Sequence, residues 1–366
     1  MIILGIETSC DETAASVVEG RQGLVTVLSN VVSSQIEIHK KYGGVVPEVA
    51  AREHVLNILP VIQEALTNAD ITRTYTEKKQ SARVRGIDAI AVTVGPGLVT
   101  SLSVGVETAK SLAYAWKLPV VAVNHIESHL YSNFIDRGKI EFPALVLTVS
   151  GGHTILVLMS GHGEYKIIGE TRDDAAGEAF DKAASLLGLG YPGGPAIARE
   201  AERLKSGIRN PKSEINSKFK IQNSKFGVKL PRPMLESGDF DFSFSSLKTA
   251  LLYKLQKDKN WQKHRAEYAY EFQCAVVETL VGKTIKAVKR HGVKSVMLAG
   301  GVAANYALRA GLKEAMEKLN IDFLMPDLKY TTDNAAMVAT AGYFKAQRKE
   351  YTPWHRLAVR VNLELS

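Results

Sequence analysis

A plan that occurs twice constrains this chain more than any other feature. Ile2-Ile3-Leu4-Gly5-Ile6-Glu7 is apolar and rich in β-branched residues, Thr8-Ser9-Cys10-Asp11-Glu12-Thr13 is polar, and Ala14-Ala15-Ser16-Val17-Val18 is apolar again. The same order returns at 144–149, 150–154 and 155–158. Each set reads as strand, polar turn, strand. A second unit repeats as well. Residues 87–94 form a strand pattern that runs through Gly95-Pro96-Gly97 into a helical stretch reaching Ser111, and 294–299 run through Gly300-Gly301 into a helix from about 303 to 318. Strands feeding helices through glycine turns imply an α/β fold with parallel strands, here duplicated. Ligands in such sheets sit beyond the carboxyl ends of the strands, so a cleft between two halves is the expected site.

A length of 366 residues favours two domains, and 45% hydrophobic with 23% charged residues is the profile of a globular protein with a sizeable core. The boundaries expected are 1–142 for a first lobe and 143–366 for a second, with a C-terminal helix at 333–348 that can pack back on the first. Two cysteines, Cys10 and Cys274, exclude a disulfide framework and a cysteine-rich metal site. The start lacks a signal-peptide pattern and no apolar run is long enough to span a membrane, so a cytoplasmic protein is expected. The net charge of +8 fits an anionic partner such as nucleic acid, although many basic proteins bind none. Segments 73–85 and 204–232 read as surface insertions. The second carries Lys212, Lys218, Lys220 and Lys225 among Phe219 and Phe226, and Lys254, Lys257 and Lys259 precede Trp261 further on. Such surfaces contact phosphates, or are simply solvated.

Inorganic chemistry is implied at one place. His125 and His129 are four residues apart, so on a helix both imidazoles face one way and can grip a metal ion. Glu127 lies between them, turned about 200° from His125, which is not the His-Glu-x-x-His order of a zinc protease. Asp333 precedes a helical run from 335 to 347; it is placed either as the helix cap or as an oxygen ligand completing a His-His-Asp set suited to iron, zinc or manganese. Ser150-Gly151-Gly152-His153 follows a strand, and its glycines either let an anionic group approach backbone N–H groups or make an ordinary hairpin turn. Asn305, near a helix start, either hydrogen-bonds a nucleoside or serves packing and capping. Asp181 can meet a ligand hydroxyl, and Asp11 and Glu12 occupy the first polar turn, where a cation could bind.

Together these segments resemble one family, the TsaD (Gcp/YgjD) proteins, which are tRNA adenosine threonylcarbamoyltransferases. The resemblance runs in order through 5–13, 42–48, 94–98, His125-Ile126-Glu127-Ser128-His129, 149–154, Gly177-Glu178-Ala179-Phe180-Asp181-Lys182, Tyr191-Pro192-Gly193-Gly194-Pro195, 300–305 and Thr332-Asp333-Asn334-Ala335-Ala336. It looks like the bacterial branch, with Ser150 where archaeal relatives have tyrosine. The resemblance implies the duplicated actin-like (actin/Hsp70/sugar-kinase, ASKHA) fold, two lobes with a central cleft. It implies a metal at His125, His129 and Asp333, usually Fe(2+) and sometimes Zn(2+), and substrate contacts at Thr148, Val149, Ser150, Gly151, Gly152, Asp181, Gly194 and Asn305. It implies transfer of threonylcarbamoyl from threonylcarbamoyl-AMP to N6 of the adenosine 3′ of the anticodon, in tRNAs reading codons that begin with A, with TsaB and TsaE as partner proteins. No catalytic base is implied. Ser246, commonly glycine in the family, and the basic insertions depart from its pattern. The alternatives are a metallopeptidase, an older label for the family, and a non-catalytic ATP-binding assembly subunit.

Overall fold

The computed structural model describes residues 1–71, 73–74, 83–84, 86–206 and 227–365. Most of the basic insertion, with Lys212, Lys218, Lys220 and Lys225, and most of segment 73–85 lie outside the described residues. The chain divides into two compact units: 1–140 with 162–164 and 326–366, and 141–161 with 165–325. The C-terminal residues 326–366 group with the first unit, which extends to the whole tail the return expected of helix 333–348 alone.

The main sheet of the first unit holds five strands: β1 (Ile2–Glu7), β2 (Glu12–Arg21), β3 (Leu24–Ser34), β4 (Ala89–Gly95) and β5 (Val120–Asn124). Their order is β3-β2-β1-β4-β5, antiparallel across the first three and parallel from β1 to β5. The second unit repeats the plan with β6 (Ala144–Val149), β7 (Thr154–Gly161), β8 (Glu164–Glu170), β9 (Ser295–Ala299) and β10 (Asp322–Leu324), in the order β8-β7-β6-β9-β10. The duplication read from the sequence is therefore a duplication of sheet topology.

Central strands buried on both faces explain the continuous apolar runs. In the first unit, α1 (Pro47–Asn68) and α2 (Val99–Trp116) cover one face, through Ile58, Ile62, Val106 and Ala109. The helix α9 (Ala335–Gln347) lies against β1, β2 and β4. It is rich in alanine and nearly all its residues are buried. Gly5 makes this close approach possible, because a Cβ there would overlap the carbonyl of Ala335 and the Cβ of Ala339. In the second unit, α4 (Ala176–Leu186), α5 (Gly193–Ser206), α6 (Ser245–Lys257), α7 (Arg265–His291) and α8 (Tyr306–Leu319) surround the sheet, with Phe180, Phe272, Leu247 and Leu308 in the core.

One helix differs from the expected run over 303–318. A 3₁₀ turn, Gly301–Ala304, comes first, and α8 starts only after Asn305. The Asn305 side chain accepts from the N–H groups of Ala307 (2.9 Å) and Leu308 (3.1 Å), so it caps a new helix rather than sitting inside one. No described helix is long and apolar enough to cross a membrane.

Candidate metal centre and glycine turns

Parallel register decides which residues meet in the first unit. Ile6 pairs with Val92, Thr93 with Val123 and Gly95 with Asn124, so Glu7, Thr93 and Asn124 all emerge at the carboxyl ends of adjacent strands. Asn124 turns the chain directly into α3 (His125–Tyr131), accepting from the N–H groups of Ile126 (2.7 Å) and Glu127 (3.2 Å). The helical spacing places the two imidazoles side by side, with ring centroids 4.7 Å apart.

Asp333 reaches them from the start of α9. Its Oδ1 lies 3.1 Å from His129 Nε2 and 3.6 Å from His125 Nε2. One ligand atom from each of His125, His129 and Asp333 falls within 4.8 Å of the others. The capping alternative for Asp333 is overturned, because Asn334 caps α9 through Met337 N–H (3.1 Å) and leaves the Asp333 carboxylate facing the histidines. The donor set fits a metal. His129 is fully buried; its Nδ1 makes no hydrogen bond, and its Nε2 meets the Asp333 carboxylate outside hydrogen-bond geometry, an expensive arrangement unless a lone pair is otherwise used. Two imidazoles and one carboxylate are a borderline N/O set of the kind that iron and zinc accept.

The surrounding charge is lopsided. Burial works against a charged His125 imidazole, but the carboxylates of Asp333 and Glu7 outweigh it and raise the ring to about 9. Burial likewise opposes charge on Glu7, and His125 together with the Thr93 hydroxyl holds that carboxyl below its ordinary value. Burial, with Asp11 and Asp333 nearby, pushes Glu12 well above the usual carboxyl range. Burial and the same acids raise the Cys10 thiol, which disfavours its thiolate form. Glu127 points elsewhere: its oxygens face Lys345 Nζ (3.5 Å) and Arg348 Nη2 (4.0 Å) on the far side of α3. A metallopeptidase would need that carboxylate beside the ion as a general base.

The second unit gathers most of the remaining sequence-predicted residues. Thr148 and Val149 end β6, whose Thr148 is in register with Ala299 at the end of β9. Ser150, Gly151 and Gly152 form the β6–β7 turn, and Gly300, at φ +85°, begins the turn after β9 directly over the Val149 carbonyl, a position a side chain could not share. Thr148 Oγ1 is buried without a hydrogen-bond partner. Ser150 N–H donates to His153 O (2.8 Å), which leaves the N–H groups of Gly151 and Gly152 on the exposed part of the turn. Asp181 accepts from Gly193 N–H (2.6 Å) at the start of α5, next to Gly194. Burial, aided by Glu178, keeps the Asp181 carboxyl above its usual value despite that bond. Asn305 is already engaged as a cap and as a donor to Gln273 Oε1 (3.0 Å).

Sequence reasoning missed Glu7, Ser9, Thr93 and Asn124. Glu7 carried one signal, an acid closing an apolar strand, and Asn124 another, a preferred cap residue directly before the helix; Ser9 and Thr93 carried none.

The family model for "TsaD: tRNA N6-adenosine threonylcarbamoyltransferase" matches residues 26–340. A tRNA N6-adenosine threonylcarbamoyltransferase of Dehalococcoides mccartyi is 52% identical over 346 residues, 94% of this chain and 94% of its own. One from Syntrophomonas wolfei is 46% identical over 353 residues, 96% of this chain and 94% of its own. HypF from T. kodakarensis is similar in fold, with a TM-score of 0.57 at 14% identity over 97% of this chain and 49% of that one. The fold is of the actin-like ASKHA type, and the repeated sheet order is consistent with it. The chain belongs to the TsaD family of tRNA N6-adenosine threonylcarbamoyltransferases.

Proposed function

We propose that this protein transfers the threonylcarbamoyl group of threonylcarbamoyl-AMP to N6 of the adenosine 3′ of the anticodon, in tRNAs reading codons that begin with A. Family membership over nearly the whole chain carries this reading, and the His125, His129 and Asp333 constellation supports it.

The exocyclic amine of adenine is a weak nucleophile, while the donor is a mixed anhydride with AMP as leaving group. The work left for the protein is therefore orientation and charge stabilisation. Gly151 and Gly152 offer backbone N–H groups to developing charge on the carbamoyl oxygen, and Thr148 Oγ1 supplies an unused buried hydroxyl beside them. Asp181 and Gly194 hold the ribose side of the adenylate. Val149 and Ser150 line the same turn. Asn305 meets the nucleoside with the second hydrogen of its amide, its first being given to Gln273. His125, His129 and Asp333 hold a divalent metal, Fe(2+) first and Zn(2+) second. Such an ion, when bound, supplies Lewis acidity and a template for donor oxygens. Glu12, pushed toward its protonated form, and Asp11 are electrostatic groups at the rim of the metal centre, and no residue is given the role of catalytic base. The reaction runs in the cytoplasm with TsaB-like and TsaE-like partners, and the basic insertions dock the tRNA backbone.

The test is incorporation of labelled threonine into tRNA by purified protein supplied with threonylcarbamoyl-AMP and the partners. Wild type should modify tRNA. His129→Ala should lose both the bound metal and the transfer. Full modification by metal-free His129→Ala would refute the metal assignment, and no modification by wild type would refute the reaction.

A further inference from the structure

Glu7 is a carboxylate with no solvent exposure at the end of an apolar strand. Burying such a charge is costly unless every lone pair is used. Here they are. Ser9 N–H donates to Oε1 at 2.5 Å, Thr93 Oγ1 donates to Oε2 at 2.6 Å, and His125 Nδ1 lies 3.3 Å from that same Oε2. Ser9 Oγ is 3.1 Å from His125 Nδ1 as well. The other histidine of the constellation has no counterpart, since His129 Nδ1 is without a hydrogen bond.

A histidine that ligates through Nε2 must carry its proton on Nδ1, and the partner of Nδ1 fixes both tautomer and ring orientation. We infer that Glu7 is the positioning residue of the metal centre: by accepting from His125 Nδ1–H it keeps the Nε2 lone pair aimed at the point shared with His129 and Asp333. This rests on the metal assignment made above. The parallel sheet builds the arrangement, because Glu7, Thr93 and the residue before His125 lie at or near the carboxyl ends of three adjacent strands.

Glu7→Gln isolates the role at almost constant volume. Ser9 N–H is a main-chain donor and cannot reverse, so the glutamine oxygen must face it. The amide NH2 then turns toward Thr93 and His125. The Thr93 hydroxyl can rotate to accept, but His125 Nδ1 can accept only by moving its proton to Nε2, the atom the metal needs.

Zinc affinity of the full chain, read by competition with a chromogenic chelator, tests this in wild type, Glu7→Gln, His125→Ala and the double variant. Glu7→Gln should bind roughly 10–100-fold more weakly, the usual range for loss of such a partner. Adding it to His125→Ala should cost nothing further, which separates action through His125 from general loosening. Wild-type affinity in Glu7→Gln, or an equal further loss in the His125→Ala background, overturns the inference. Wild-type affinity in His125→Ala would instead overturn the metal assignment itself. Should Glu7→Gln fail to fold, Thr93→Val carries the test: it removes the hydroxyl that orients Oε2, and affinity should fall, whereas unchanged affinity overturns the role.

Discussion

Replacing Asn124 with alanine should loosen the helix that carries both histidines. The Asn124 side chain does two separate things. Its Oδ1 accepts from the N–H groups of Ile126 (2.7 Å) and Glu127 (3.2 Å), capping α3. Its Nδ2 donates to the carbonyls of Leu363 (3.3 Å) and Glu364 (3.0 Å), tying the C-terminal segment to the edge of the sheet. Loss of an N-cap costs about 1 kcal/mol. The two tail bonds share one amide and end on carbonyls near the surface, so they add about 1 kcal/mol together. A total of roughly 2 kcal/mol corresponds to a fall of about 4–8 °C in the melting of a 150–250-residue unit. Asn124→Asp keeps the acceptor, which also suits the positive end of the helix dipole, but loses the donor, and should fall by only about half as much. Calorimetry on metal-free protein in chelator is the assay, because bound metal would shift the melting by mass action. An alanine variant that melts with wild type, or an aspartate variant that falls as far as alanine, would show that the cap does not hold this helix.

Three further outcomes are expected. His125 is raised to about 9 by Asp333 and Glu7 against its burial, so in the metal-free protein its contribution to stability is full below the unfolded value near 6.5 and is lost as pH rises through about 9; melting in chelator should fall across that window, and zinc affinity should climb over it because the ligand must shed the proton. Gly5→Val would drive a side chain into the Ala335 carbonyl and the Ala339 methyl; overpacking of about 1–3 kcal/mol or more should appear as a lower denaturation midpoint, and an unchanged midpoint would mean that α9 does not lie on β1 as described. Replacing Lys218, Lys220 and Lys225 with Glu should weaken tRNA binding and flatten its salt dependence in a filter-binding titration, and an unchanged slope would make those residues solvated surface only.

The local half of this protein was legible in its sequence. Two strand–turn–strand runs and two strand–glycine–helix runs, recognisable from residue periodicity, became two sheets of identical order. The i, i+4 spacing of His125 and His129 put their rings together because a helix is a local structure, and the same geometry turned Glu127 away, into contact with Lys345 and Arg348. The ordered family motifs named the chemistry. Spacing could not decide between roles of equal local merit. Asp333 was readable as cap or ligand, and in the folded chain Asn334 caps α9 while the Asp333 carboxylate faces the two histidines. Asn305 was readable as ligand or cap, and the break after Ala304 puts its side-chain oxygen on the start of α8. Glu7 became a partner of His125, 118 residues away, because parallel register brings the carboxyl ends of β1, β4 and β5 together. Periodicity is set by each residue's own neighbours in the chain and can be read there. Register between strands is set by the packing of whole faces, and that exists only once the chain has folded.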